Sequence, residues 1–185
     1  KKELRDLATI PDISLMVQTF RPEELAISII QPWQKGLEKE MINMVSRIFA
    51  LSFNKISAQH YLNQMLQEIT KICPTGSYPS LKQIIDYISN HTVKKYNYRK
   101  EQLKESCLIS LNAINDNLGD QIFDYSSSDM LKTLFTTPGL AVIECEGIDP
   151  QVLSFISIYL MYWRYFCVQH LGHEFLNKVP ALFVL

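Results

Sequence analysis

The sequence predicts an α+β protein, mainly α, in which a multi-helix subdomain is attached to part of a parallel α/β core. Three observations carry this expectation. From residue 37 to residue 118, apolar residues recur at intervals of three and four, the period of amphipathic helices. Leu140–Cys145 and Pro180–Leu185 are short apolar runs that read as strands covered on both faces, as in a parallel sheet. Between them Asp149 to Gly172 reads as one long helix. Strand, helix, strand in that order is a crossover connection, which makes the two strands parallel. With 185 residues, the chain suits one structural unit. Its parts are a strand and connection (1–36), a helical subdomain (37–136) and a strand–helix–strand portion (137–185).

Taken in order, Lys1 to Pro11 is polar and loosely held, and Ile13–Thr19 reads as a strand followed by a turn at Arg21-Pro22. Glu23 to Ile30 is a candidate short helix closed by Gln31-Pro32. Leu37 to Phe53 carries Leu37, Met41, Met44, Val45, Ile48 and Phe49 on one stripe. A second helix places Tyr61, Met65, Ile69 and Ile72 together and ends near Pro74-Thr75-Gly76. Ser80-Leu81-Lys82-Gln83 is a capping-box pattern, in which the serine and glutamine side chains answer each other's backbone amides. It opens a helix with Leu81, Ile84, Ile85 and Ile88 inward. Asn90 to Asn97 is a polar break. A long helix follows from about Arg99 to Leu118, with Leu103, Cys107, Leu111, Ile114 and Leu118 inward and Gly119 as its stop. Ser126–Asp129 offers caps for a short helix through Leu134, and Thr137-Pro138-Gly139 turns into the Leu140 strand. Asp149-Pro150 opens the long helix with a carboxylate cap and a proline preset for the first turn.

Bulk properties narrow the function classes. A net charge of −1 gives no sign of a general nucleic-acid binder, although Lys94, Lys95, Arg99, Lys100 and Lys104 cluster. Tyr96 and Tyr98 interleave with that cluster, as in a surface tracking a nucleic-acid backbone, while Glu101 and Glu105 dilute it toward an ordinary solvated helix face. The four cysteines (Cys73, Cys107, Cys145, Cys167) are scattered, which speaks for a reducing compartment and against a disulfide framework or zinc site. Val152 to Gly172 is strongly apolar, but Arg164 interrupts it after Trp163, so a buried core helix is expected rather than a membrane span.

No G-x-x-x-x-G-K-[ST] or G-x-G-x-x-G loop occurs, so no phosphate cradle of a familiar kind is present in these residues. His170, His173 and Glu174 have a superficial metal spacing, but Gly172 intervenes and no further ligand is evident, so no metal is expected. Glu144 and Glu146 flank Cys145 at a strand exit. On a strand, positions two apart share a face, so paired acid–base work is conceivable there, with solvated carboxylates as the alternative. Trp163-Arg164-Tyr165-Phe166 contains favoured interface residue types, against which stands burial in the chain's own core.

The stretch Gly119-Asp120-Gln121-Ile122-Phe123-Asp124, followed by Leu140 to Ile148, the long helix and Pro180 to Leu185, is similar to the ATPases of type IV secretion and conjugation. It most resembles the TraC-like class within the HerA/FtsK group of P-loop ATPases, with the Dot/Icm kind a candidate within it. Val142-Ile143-Glu144-Cys145-Glu146-Gly147-Ile148 matches that family's "vvfEleel" strand, and Tyr78-Pro79-Ser80-Leu81 resembles its "yPTLsdL" element. The resemblance implies a RecA-like core carrying a multi-helix subdomain between the Walker A and Walker B motifs. It also implies a cytoplasmic hexameric motor, at or near the inner membrane, working with other secretion-system subunits. ATP and Mg²⁺ would serve the parent protein, bound between subunits, with an acidic pair after the last strand for the metal and the attacking water. Those parts would lie before Lys1 and after Leu185. This chain alone is therefore expected to be inactive, with no catalytic, cofactor-binding or metal-binding residue beyond the weak candidate Glu144. The stretch Ser106–Leu111 lacks the arginine many HerA relatives carry there, which leaves no arginine finger at that place. Two other readings stand beside this one: a non-enzymatic helical interaction module, and a DNA translocase of HerA type.

Overall fold

The computed structural model describes residues 17–21, 29–32, 35–74, 77–92, 97–118 and 140–171. Among these the chain is mainly helical. Strand β1 (Val17–Phe20) is followed by helices α1 (Glu38–Ser52), α2 (Gln59–Ile72), α3 (Leu81–Asn90) and α4 (Tyr98–Leu118), then strand β2 (Leu140–Ile143) and helix α5 (Pro150–Leu171). A short 3-10 turn, Ile56–Ala58, leads into α2.

Helix α1 begins at Leu37 without a side-chain cap, and the acidic residues Glu38 and Glu40 occupy its first turn. There they complement the positive end of the helix dipole. The helix ends in a Schellman motif. Asn54 takes a positive φ of 53°, and the Lys55 amide donates back to the Ala50 carbonyl at 2.8 Å. Asparagine tolerates that left-handed position better than other residues with a Cβ, which explains a sharp stop without glycine. The expected stripe is buried: Met41, Met44, Val45, Ile48 and Phe49 all face inward.

Helix α3 starts with the capping box read from the sequence. Ser80 Oγ accepts the Gln83 N–H at 3.2 Å, and Gln83 Oε1 accepts the Ser80 N–H at 2.9 Å. Helix α4 begins one residue before the expected Arg99, because Asn97 Oδ1 accepts the Lys100 N–H at 3.3 Å and acts as the cap. Its inward face is Cys107, Ser110, Leu111, Ile114 and Leu118, with Leu103 partly buried against the core.

Helix α1 lies between α2 and α5, while α4 packs on α3, α2 and α5. One continuous core results, joining residues from Ile29 and Ile30 through to Trp163. An aromatic series runs through it: Phe49 to Phe53 at 5.2 Å, Phe53 to Phe155 at 6.2 Å, and Phe155 to Tyr159 at 6.1 Å between ring centroids. Val152, Phe155, Ile156, Tyr159, Leu160 and Trp163 are buried, so α5 is a core helix. No helix among the described residues is long and apolar enough to cross a membrane.

The strands β1 and β2 pair in parallel, with Val17 opposite Leu140 and Phe20 opposite Ile143. They form a two-stranded sheet. A larger RecA-like α/β core is not seen among the described residues, so the coarser part of the expected fold, a mainly helical chain, is what the structure supports. Of the expected strand Ile13–Thr19, residues 13–16 lie outside the described residues and Val17–Phe20 is a strand, while the strand expected through Cys145 stops at Ile143. Of the candidate helix at Glu23–Ile30, only Ile29 and Ile30 fall within the described residues, and they sit in a buried turn. The Gly119–Asp124 turn, the short helix after Ser126 and the strand Pro180–Leu185 lie outside the described residues.

Candidate functional site

The carboxyl end of the β1–β2 pair is the first place to look, because ligands in α/β folds gather beyond the carboxyl ends of parallel strands. The last paired residues are Phe20 and Ile143. Arg21 and Glu144 follow them directly, so the register sets a cation and an anion side by side at this edge. Arg21 is exposed and Glu144 half-buried. The sequence reading singled out Glu144 but not Arg21. The signal for Arg21 was a strand pairing that no local pattern reveals.

Glu144 and Glu146 do not share a strand face as expected. Because β2 ends at Ile143, both belong to the loop after the strand, and Glu146 is exposed in a turn. That turn is closed by the Ile148 amide reaching the Cys145 carbonyl at 3.5 Å, and Gly147 supplies a φ of +83°. Asp149 then caps α5, with Oδ1 accepting the Gln151 N–H at 2.8 Å and the Val152 N–H at 3.2 Å. The Asp149 N–H is itself donated to Asn117 Oδ1, at 2.8 Å, near the end of α4. The edge is thus joined to the helical bundle by a specific side chain.

A second feature was not legible beforehand. An open groove of about 710 Å³ lies between the end of α2 and α3, with Ile69, Ile72, Cys73, Pro79, Tyr87 and His91 on its walls. Ile72, expected on the buried stripe of α2, is 68% exposed there, because it belongs to the last turn of α2, at the open groove. The Tyr87 and His91 rings stand 6.0 Å apart. Tyr87 donates its hydroxyl to Glu68 Oε2 at 3.3 Å. Partial burial raises the Cys73 thiol above its ordinary pKa, which disfavours its thiolate.

The remaining candidates separate. Lys94, Lys95 and Tyr96 lie outside the described residues, while Arg99 and Lys100 are exposed on the first turn of α4 beside Tyr98. Lys104 is not part of an open basic face, since its Nζ donates to the His91 carbonyl at 3.0 Å and closes the end of α3. Trp163 is buried and donates its indole N–H to the Tyr159 hydroxyl at 2.8 Å. Arg164 is buried as well, whereas Tyr165 is exposed. Burial of the Tyr159 phenol, the largest influence on it, raises its pKa and keeps it protonated. The His170 side chain, His173 and Glu174 lie outside the described residues. Among the described residues, no three His, Cys, Asp or Glu side chains converge as a metal ion would require.

No protein-family model, curated protein or solved structure matches this chain.

Proposed function

We propose that this chain is the segment of a P-loop ATPase of the type IV secretion and conjugation kind that lies between its Walker A and Walker B motifs. The observation that carries the reading is the pairing of β1 with β2. Two strands separated in sequence by the helices α1 to α4 lie side by side, in parallel and in register. A helical subdomain set between neighbouring parallel strands is the arrangement the family resemblance implies. Parallel pairs also belong to sheets covered on both faces, so a pair of four-residue strands is best understood as part of a larger RecA-like sheet.

In this reading the parent protein is a hexamer that binds ATP and Mg²⁺ between subunits and works with other secretion-system subunits in the cytoplasm or at the inner membrane. The residues of this chain contain no glycine-rich phosphate cradle, so nucleotide and metal would be held by motifs outside it. Glu144 and Arg21 would sit at the active edge of the sheet, and α1 to α4 would carry the nucleotide state to partners. A non-enzymatic helical interaction module is the second reading, favoured by the single continuous core of the bundle and by the open groove at Ile72.

The test is to read the parent reading frame on both sides of the chain and assay the full-length product. A G-x-x-x-x-G-K-[ST] loop upstream, an acidic pair after Leu185 and Mg²⁺-dependent ATP hydrolysis are the expected results. A full-length protein with neither motif and no hydrolysis overturns the motor reading and leaves the interaction module. Salt-dependent DNA binding by the full-length protein would select the HerA-type translocase among motors.

A further inference from the structure

We propose that Asn117 is an interlock that couples the stability of the start of α5 to the end of α4, and through it ties the loop after β2 to the helical bundle. The first amides of a helix have no partner within it, and the residue before the helix supplies one from its side chain. In a self-contained capping box, the third helical residue answers by accepting the N–H of the cap residue. Helix α3 does this with Ser80 and Gln83. At α5 the cap is Asp149, Pro150 has no N–H to satisfy, and the third residue is Val152, which has no acceptor in its side chain.

The missing acceptor comes from another helix. Asn117 Oδ1 lies 2.8 Å from the Asp149 nitrogen, across 32 residues of sequence. Asn117 is oriented for this by its own second bond, with Nδ2 donating to the Ala113 carbonyl at 2.8 Å within α4. The Asp149 bond is exposed, so water can replace it when it opens. It also joins the end of α4 to the residue that follows the exit turn of β2. Moving β2 or its exit turn shifts the Asp149 amide and loosens the cap. By reciprocity, loosening the cap releases the strand exit. In the motor proposed above this would be a route from sheet edge to helical subdomain, but the coupling itself rests on the geometry alone.

Coupling is demonstrated by non-additivity, not by proximity. The experiment is amide hydrogen exchange on the 185-residue chain for the wild type, Asn117→Ala, Val142→Pro and the double variant. Asn117→Ala is expected to speed exchange at Asp149 and also at Gln151, Val152 and Leu153 by about five- to thirtyfold, the range expected for loss of a helix cap. The Gln83 amide in the self-contained box of α3 serves as the unchanged control. Val142→Pro is expected to speed exchange in the first turn of α5 in the wild-type background, and to add little once Asn117 is alanine. Acceleration confined to the Asp149 amide, or effects that simply add in the double variant, overturns the proposal and leaves a local hydrogen bond. Absence of ATP hydrolysis in the parent would remove the motor reading without touching this result.

Discussion

In the helical bundle, Phe49, Phe53, Phe155 and Tyr159 follow one another through a core to which each of the five described helices contributes. In the strand pair, four residues face four, and Val142 and Ile143 are only half-buried. The two regions differ in what holds them. The bundle removes its large apolar side chains from water by its own packing, which is the main favourable term in folding. The pair is held by the backbone hydrogen bonds of its register, and Ile143 packs against the edge of the bundle's core. A two-stranded sheet by itself is marginal in water. The bundle can be understood from its own residues, whereas the pair is placed by the elements around it.

The largest effect expected from breaking this contrast is in the bundle. Phe155 is fully buried where α5 meets α1, in ring contact with both Phe53 and Tyr159. Phe155→Ala removes that contact and leaves a cavity the aromatic neighbours can fill only in part. It is expected to destabilise the chain by about 3–5 kcal/mol, read as a shift of the urea midpoint followed by far-UV circular dichroism. A loss below about 1 kcal/mol would show that α5 is not integral to the core.

The same contrast explains which features were legible in the sequence. The helices were, because their signals are local: the Met41-to-Phe49 stripe, the Ser80–Gln83 box and the Asp149-Pro150 start all appear in the structure where the chain placed them. Both described strands were also foreseen as strands, Val17–Thr19 of the first expected run and Leu140–Ile143 of the second. Their pairing was not, since register between segments more than a hundred residues apart, with four described helices between them, leaves no trace in either segment. The face shared by Glu144 and Glu146 failed for a local reason. Cys145, Glu146 and Gly147 make a turn, and a φ of +83° at Gly147 cannot continue a strand. Ile72 fits the helical period, but period says nothing of where the neighbouring helices end. The groove and the Asn117–Asp149 bond are products of assembly, not of pattern.

A smaller effect sharpens the boundary between the two regions, where the chain enters α1. Glu38 Oε1 accepts the Gly36 N–H and the Tyr78 hydroxyl, each at 3.1 Å. Its own backbone amide, then that of Gly36, with Tyr78 and the nearby Lys35 adding less, hold its carboxyl below the ordinary value of 4.5. A depressed folded-state pKa contributes stability above the unfolded value and loses it as pH falls through the folded value. Stability is therefore expected to decline as pH drops below about 4.5, over and above the trend set by other carboxylates. Glu38→Gln removes this component, so the gap between wild type and variant should narrow from pH 7 to pH 3 in denaturation midpoints. A gap that stays constant with pH would show that the charge of Glu38 contributes nothing.

The smallest expected effect is the most informative about the pair. Val142→Pro places a residue without an amide hydrogen in the middle of β2, where it also distorts the neighbouring backbone. If the pair draws little stability from the bundle and returns little to it, the urea midpoint of the helical signal should move by about 0.5 kcal/mol or less. The expected response is local: faster exchange in β2 and at the start of α5, with the amides of α1 and α2 unchanged. A loss as large as that of Phe155→Ala would make the strands and helices one cooperative unit, and the pair would need no further strands to account for it. A local response instead shows that the pair, although Ile143 packs on the core, contributes little to the stability of the bundle.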